Sequence, residues 1–149
     1  MTRSGAALPV LPPAPPASSG AVLRRMRLQP RSHTSCEFAL RSALHRLGLR
    51  FRVDCRPIPN YRRRADIVFP RLQVAVFVDG CFWHGCRWHK TTPAKHREWW
   101  CVKIHRNRLR DRQTTRFLRR RGWTVIRVWE HASIGKATSR VLWGIRRRA

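Results

Sequence analysis

Three apolar runs of strand character punctuate the chain: Ala65-Asp66-Ile67-Val68-Phe69-Pro70, Val74-Ala75-Val76-Phe77-Val78, and Trp123 to Trp129. The second is uncharged and mostly β-branched, which suits a strand buried on both faces better than a helix. Arg71-Leu72-Gln73 leaves room only for a tight connection, so the first two runs are predicted to pair as an antiparallel hairpin. A shorter strand is predicted at Leu49 to Val53. Helical spacing appears in three places. From Thr34 or Ser35 as cap, the apolar positions Phe38, Leu40, Ala43, Leu44 and Leu47 form a stripe that Gly48 stops. Between Glu98 and Arg121 a long basic helix is predicted, with Gly122 at its C-terminal end. Ser133 to Ala149 fits a short amphipathic helix. This order of elements, without internal repeats, predicts one small α/β domain with a central mixed β-sheet flanked by helices.

Composition changes the picture at both ends of the charge scale. Lys and Arg number 33 against 7 Asp and Glu, a formal net charge of +26 over 149 residues. Self-repulsion on that scale needs a polyanion, and nucleic acid is the expected partner. A basic membrane-surface protein would need a long amphipathic helix or an apolar span, and neither pattern occurs. Five cysteines, an odd number, with no secretory signal pattern argue for a reducing compartment rather than a disulfide framework. A cytoplasmic, nucleoid-associated protein is expected. Residues 1–30, rich in proline and alanine, are expected to be a disordered arm, and residues 31–149 the folded domain. Leu23-Arg24-Arg25-Met26-Arg27 near the end of that arm reads equally as a DNA contact and as a solvated basic tail.

The scarcity of acids makes each one informative: Glu37, Asp54, Asp66, Asp79, Glu98, Asp111 and Glu130. Glu37 is accounted for by the dipole of its helix, and an active-site role stands beside that reading. Asp66, at the mouth of an apolar strand, needs a cation, a metal ion or a set of N–H donors. Phosphodiester cleavage asks for a divalent ion, a base to take a proton from water, and often an acid to orient that base. Asp66 offers hard oxygen for Mg2+, His84 is the candidate base, and Asp111 on the basic helix is its candidate partner. Each also has a plainer explanation: pairing of Asp66 with Arg62 to Arg64, zinc ligation by His84, or contacts of Asp111 with neighbouring arginines.

The segment after the central strand, Asp79-Gly80-Cys81-Phe82-Trp83-His84-Gly85-Cys86-Arg87-Trp88-His89, carries two further patterns. Cys81, Cys86 and His89, with His131 after the last strand, form a Cys2His2 set suited to tetrahedral Zn2+, which would staple loops that have little core of their own. Two reduced cysteines beside unrelated histidines are the alternative. Phe82-Trp83 either folds back into a small core or wedges between base pairs.

Asp79-Gly80-Cys81-Phe82-Trp83-His84, preceded by Ala65-Asp66-Ile67-Val68-Phe69 and followed by Glu98-Trp99-Trp100, Arg110-Asp111-Arg112 and Gly122-Trp123-x-Val125-x-x-Val128-Trp129-Glu130, resembles the very-short-patch-repair (Vsr) DNA mismatch endonucleases, in order from about Met26 to His131. The resemblance implies a restriction-endonuclease-like fold and a nick 5′ to the thymine of a T:G mismatch in double-stranded DNA. Asp66 falls on the family's magnesium-binding aspartate, and Val78 on the position whose backbone carbonyl also reaches that metal. His84 falls on the general base, Asp111 on its orienting acid and Glu37 on a first-helix glutamate near the metal's waters. Phe82 and Trp83 fall on the aromatic wedge, and Met26 on a residue inserted from the opposite groove. Two departures stand out. Asp79 replaces a histidine near the metal, so a carboxylate contact to Mg2+ is expected, and His131 replaces the last zinc cysteine. The expected assembly is a monomer with catalytic Mg2+ and structural Zn2+, and other mismatch-repair proteins are further candidate partners. The competing readings are a restriction- or defence-associated nuclease without mismatch specificity and a non-catalytic zinc-containing DNA-binding module.

Overall fold

The computed structural model describes residues 7–17, 19–28, 34–89 and 93–148. Its elements are α1 (Gly20–Leu28), α2 (Ser35–Arg46), β1 (Arg52–Cys55), β2 (Ala65–Phe69), β3 (Val74–Asp79), α3 (Arg97–Arg120), β4 (Thr124–Trp129) and α4 (Ile134–Arg146). The strands form one sheet in the order β1-β2-β3-β4, with β1, β2 and β3 antiparallel in turn and β4 parallel to β3. This is the mixed α/β architecture of the restriction-endonuclease-like kind. No helix of the described residues is long and apolar enough to cross a membrane. Within the segment predicted to be a disordered arm, Gly20–Leu28 is helical; the Met26 side chain lies outside the described residues.

Strand alternation divides the core into two layers. Ile67, Phe69, Val74, Val76, Ile126 and Val128 face α2 and α4, meeting Leu40, Leu44, Val141 and Ile145. Val68, Ala75, Phe77 and Val125 face the other way, against Leu118 of α3 and Trp123. Val74 and Val76 on one face and Ala75 on the other are completely buried, as expected of a central strand covered on both sides. At about 25 cal/mol per Å2, each fully buried valine or leucine contributes roughly 1.5–3 kcal/mol, so this sandwich fixes where the strand ends lie.

The helix ends follow the local chemistry. Thr34 caps α2, its Oγ1 accepting from the Glu37 amide at 3.4 Å, and Gly48 after it adopts φ +79°. Gly122 closes α3 with φ +82°, a conformation that strains other residues. The first strand begins at Arg52, three residues later than the apolar pattern suggested. Leu49 closes α2 through its amide on the Leu44 carbonyl at 3.2 Å, and Leu49 and Phe51 pack against the core before the chain joins the sheet. The parallel pairing of β3 and β4 runs from Val74 opposite Thr124 to Asp79 opposite Trp129. Both strands therefore end side by side, and the chemically loaded segments that follow them leave from one edge of the sheet.

Candidate active site and metal centre

Because β3 and β4 end together, the loop after Asp79 meets the turn after Trp129. The Glu130 amide donates to the Asp79 carbonyl at 3.0 Å, and Glu130 Oε1 accepts from the Cys81 amide at 2.5 Å. This brackets the turn at Gly80, where a Cβ would lie 3.5 Å from Trp83 and 3.6 Å from Glu130. Residues 80–86 then wind tightly, with His84 N on Gly80 O at 3.1 Å and Cys86 N on Cys81 O at 2.9 Å. Gly85 sits at φ +61°, and a Cβ there would come within 2.8 Å of Ile104. From α3, buried Asn107 donates to the Trp83 carbonyl at 2.9 Å. Sheet end and helix thus pin the loop from both sides.

Cys81, Cys86, His89 and His131 converge, their ligand atoms all within 4.8 Å of one another. Cys81 Sγ lies 3.0 Å from His131 Nδ1 and 3.8 Å from His89 Nδ1, and Cys86 Sγ lies 3.7 Å from each histidine. Zinc bond lengths in a tetrahedral site imply ligand separations of about 3.5 Å, so this donor set fits Zn2+. Burial, with the adjacent Cys86 and Glu130, pushes Cys81 up to about 12. Burial also opposes ionisation of Cys86, but the amides of Trp88 and His89, the His89 ring and Cys81 outweigh it and bring that thiol down to about 7. The two thiols shift in opposite directions, and a bound cation would favour ionisation of both.

On the other side of the same loop, His84 Nδ1 lies 2.5 Å from Asp111 Oδ2 and 3.7 Å from Asp79 Oδ1. The ligand atoms of the three residues fall within 4.8 Å of one another. A carboxylate on Nδ1 holds the proton there and leaves Nε2 as the acceptor. Burial alone would raise the Asp111 pKa; the His84 hydrogen bond and the charges of Arg127 and Arg110 overcome it and hold the carboxyl below its ordinary value. Asp79, expected at the magnesium, has both oxygens engaged by Arg127, at 2.7 and 2.5 Å, and the same guanidinium lies 3.2 Å from Asp111 Oδ1.

Asp66 stands on β2, outside that group, and its Oδ2 accepts from the Val78 amide at 2.6 Å. In an extended strand the N–H and C=O of a residue point to the same side, so the Val78 carbonyl lies on the β2 side of β3, as its amide does. Burial, with Glu37 and Asp79 adding to it, pushes the Asp66 carboxyl up to about 6, despite the Val78 amide and Arg41. A divalent cation would reverse that balance, and a hard oxygen pair of carboxylate and carbonyl fits Mg2+. Glu37, 5 % exposed, has Oε2 on Arg41 at 2.9 Å and Oε1 on the Thr34 hydroxyl at 3.2 Å, while Arg41 also reaches the Asp66 carbonyl at 3.4 Å. Helix capping and proximity to Asp66 coexist in this one residue.

Phe82 and Trp83 are half-buried and stand edge to face, with ring centroids 5.1 Å apart. Trp100 joins them, 5.1 Å from Phe82 and 6.0 Å from Trp83, and Trp99 stacks edgewise on Trp100 at 4.9 Å. Arg127, Asn107 and Arg41 were not singled out by sequence reasoning, and Trp100 and Glu130 were noted only within motifs or among the acids, without a role. Arg127 had one visible signal, a lone charge inside an apolar strand. The pairing of Trp99 and Trp100 with the loop depends on how α3 crosses the sheet, which its sequence does not display.

A carboxylate-held histidine and a second carboxylate, delivered to one sheet end beside a cluster of cysteines and histidines in a strongly basic chain, are the parts that a nuclease uses. A family model described as DNA mismatch endonuclease Vsr matches residues 17–90. The chain is 44 % identical over 121 residues to the type II nicking enzyme V.NaeI of Lentzea aerocolonigenes, covering 80 % of this chain and 73 % of that one. It is 41 % identical to the type II nicking enzyme V.XorIIP of Xanthomonas oryzae pv. oryzae, over 66 % of this chain and 71 % of the relative. To the DNA mismatch endonuclease Vsr of Escherichia coli it is 37 % identical, over 76 % and 71 % respectively. The chain belongs to the Vsr family and is a DNA endonuclease.

Proposed function

We propose that this endonuclease nicks one strand of duplex DNA 5′ to the thymine of a T:G mismatch, with Mg2+ as catalytic ion and Zn2+ as a structural one. The observation that carries the reading is the His84–Asp111 couple at 2.5 Å, carried by the same loop as the aromatic pair Phe82 and Trp83. His84, its Nδ1 proton held by Asp111, takes a proton from the attacking water at Nε2. Asp66 and the Val78 carbonyl would hold Mg2+, which when bound neutralises charge developing on the phosphate. Glu37, fixed by Arg41 and Thr34, lies near that position and orients solvent there. Cys81, Cys86, His89 and His131 would hold Zn2+, fixing the loop that carries both His84 and the aromatic pair. Phe82, Trp83 and Trp100 offer flat apolar faces for the opened base step, and Met26 of α1 is the candidate for the opposite groove.

The names of the relatives, nicking enzymes and a mismatch endonuclease, support the same reading. The test is incubation of a T:G duplex with the protein and Mg2+. Wild-type protein is expected to give a single-strand nick beside the thymine, and His84→Ala and Asp66→Ala to give none. Cutting that persists in both variants removes the mechanism.

A further inference from the structure

A cavity of about 350 Å3 opens between α3 and β4 beside His84, and five arginines line it. Arg108, Arg112, Arg116 and Arg119 come from α3, and Arg127 comes from β4. Three of these are spaced four residues apart, which places them on one face of the helix, and Arg119 falls on the same stripe. All four helix arginines are exposed, and among the described residues none makes an ion pair. Like charges at this spacing repel, so the stripe weakens α3 in isolation. The two carboxylates bordering the cavity, Asp79 and Asp111, do not relieve it, because both are already bonded to Arg127 at 2.5 and 3.2 Å. Five cations and two neutralised anions surround the space next to the base.

We propose that this stripe is the seat of the DNA backbone on one side of the scissile bond, with Arg108, Arg112, Arg116 and Arg119 receiving consecutive phosphates of one strand. Arg127 cancels the carboxylates that would otherwise repel them. From Arg108 to Arg119 the helix rises roughly 16 Å, enough to follow several phosphates of a strand that carries one per about 3.4 Å of duplex axis. A small anion would need one or two of these groups, whereas a continuous row matches a polymer. The inference rests on the reading of the chain as a DNA-cutting enzyme, and it names where the substrate lies rather than how it is cut.

The experiment is equilibrium binding of a T:G duplex, read by fluorescence anisotropy in EDTA from about 50 to 200 mM salt, so that it does not depend on nicking. Each lost phosphate contact lowers the slope of log K against log salt by about 0.9. The triple variant Arg112→Ala, Arg116→Ala, Arg119→Ala is therefore expected to lose about 2 to 3 from the slope. A charge-matched triple on α4, across the sheet, Lys136→Ala, Arg140→Ala, Arg146→Ala, is expected to change it by less than about 1 and to leave nicking unchanged. Nicking lost in the α3 triple should return as DNA concentration is raised. An unchanged slope overturns the proposal, and so does an equal loss in both triples, which would reduce the effect to net charge. If circular dichroism shows the α3 triple unfolded, Arg112→Gln and Arg116→Gln made singly should each remove about 1 from the slope, and no change in either overturns it. Failure of the wild-type chain to nick T:G DNA would count against the proposed function and leave the binding result standing.

Discussion

Replacing Arg127 by methionine tests how the end of β3 is held. Asp79 is only 7 % exposed, and its two oxygens each accept from Arg127, whose side chain is 22 % exposed. Methionine keeps much of the aliphatic volume over Phe77, where the guanidinium now lies 5.0 Å from the ring centroid. The loss is then mainly electrostatic. Removing one partner of a buried pair typically destabilises by 3–5 kcal/mol, and partial solvent access to Arg127 argues for the lower end, about 3 kcal/mol. For a domain of this size that is roughly 10 °C in Tm. Asp79→Asn alone should cost less, because Arg127 retains Asp111 at 3.2 Å. The double variant Asp79→Asn, Arg127→Met leaves no unpaired charge at β3 and should recover about 2 kcal/mol relative to the sum of the singles. The assay is thermal and urea denaturation at fixed zinc concentration, since bound metal shifts apparent stability. Additive single-variant losses, or an Arg127→Met chain within about 0.5 kcal/mol of wild type, would refute the assignment of Arg127 as the counter-charge of Asp79.

Asp111→Asn should leave the fold intact and lower single-turnover nicking by at least about 100-fold, because His84 loses the carboxylate that holds its proton on Nδ1; rates within a few fold of wild type would disconnect the two residues. Metal analysis by mass spectrometry should find one zinc per chain, and Cys86→Ser should lower both zinc content and thermal stability, with unchanged zinc content excluding this site as the holder. Trp100→Ala removes the ring that backs Phe82 and should reduce the preference for T:G over fully paired DNA by roughly 1–3 kcal/mol, while a preference equal to wild type would confine Trp100 to packing.

Much of the scaffold was legible because it is locally encoded. Thr34, Gly48 and Gly122 mark helix ends by backbone chemistry that acts within a few residues, and the uncharged run at Val74 to Val78 marks a strand covered on both faces. The start of β1 was misplaced because Leu49 and Phe51 are apolar for a different reason: they fill the core while the chain leaves α2. The thiolate and imidazole set could be listed from residue types, yet what brings His131 to Cys81 is the parallel register of β3 and β4, a long-range property. The same register turns Arg127 toward Asp79. Nothing near Asp79 in the chain announces an arginine 48 residues later as its partner. Asn107 is a similar case, an ordinary polar residue until the loop it pins is in place, and Glu130, though one of few acids, shows its partner Cys81 only in the fold.

In the proposed function one loop presents an aromatic group and a base to the same lesion. The most direct measurement compares strand-resolved nicking, with Mg2+, of three duplexes that differ at one base pair: T:G, T:A and C:G. A nick confined to the thymine strand of the T:G duplex, immediately 5′ to the thymine, is the predicted result. Equal cutting of all three duplexes, or cutting that does not move with the thymine, would contradict it.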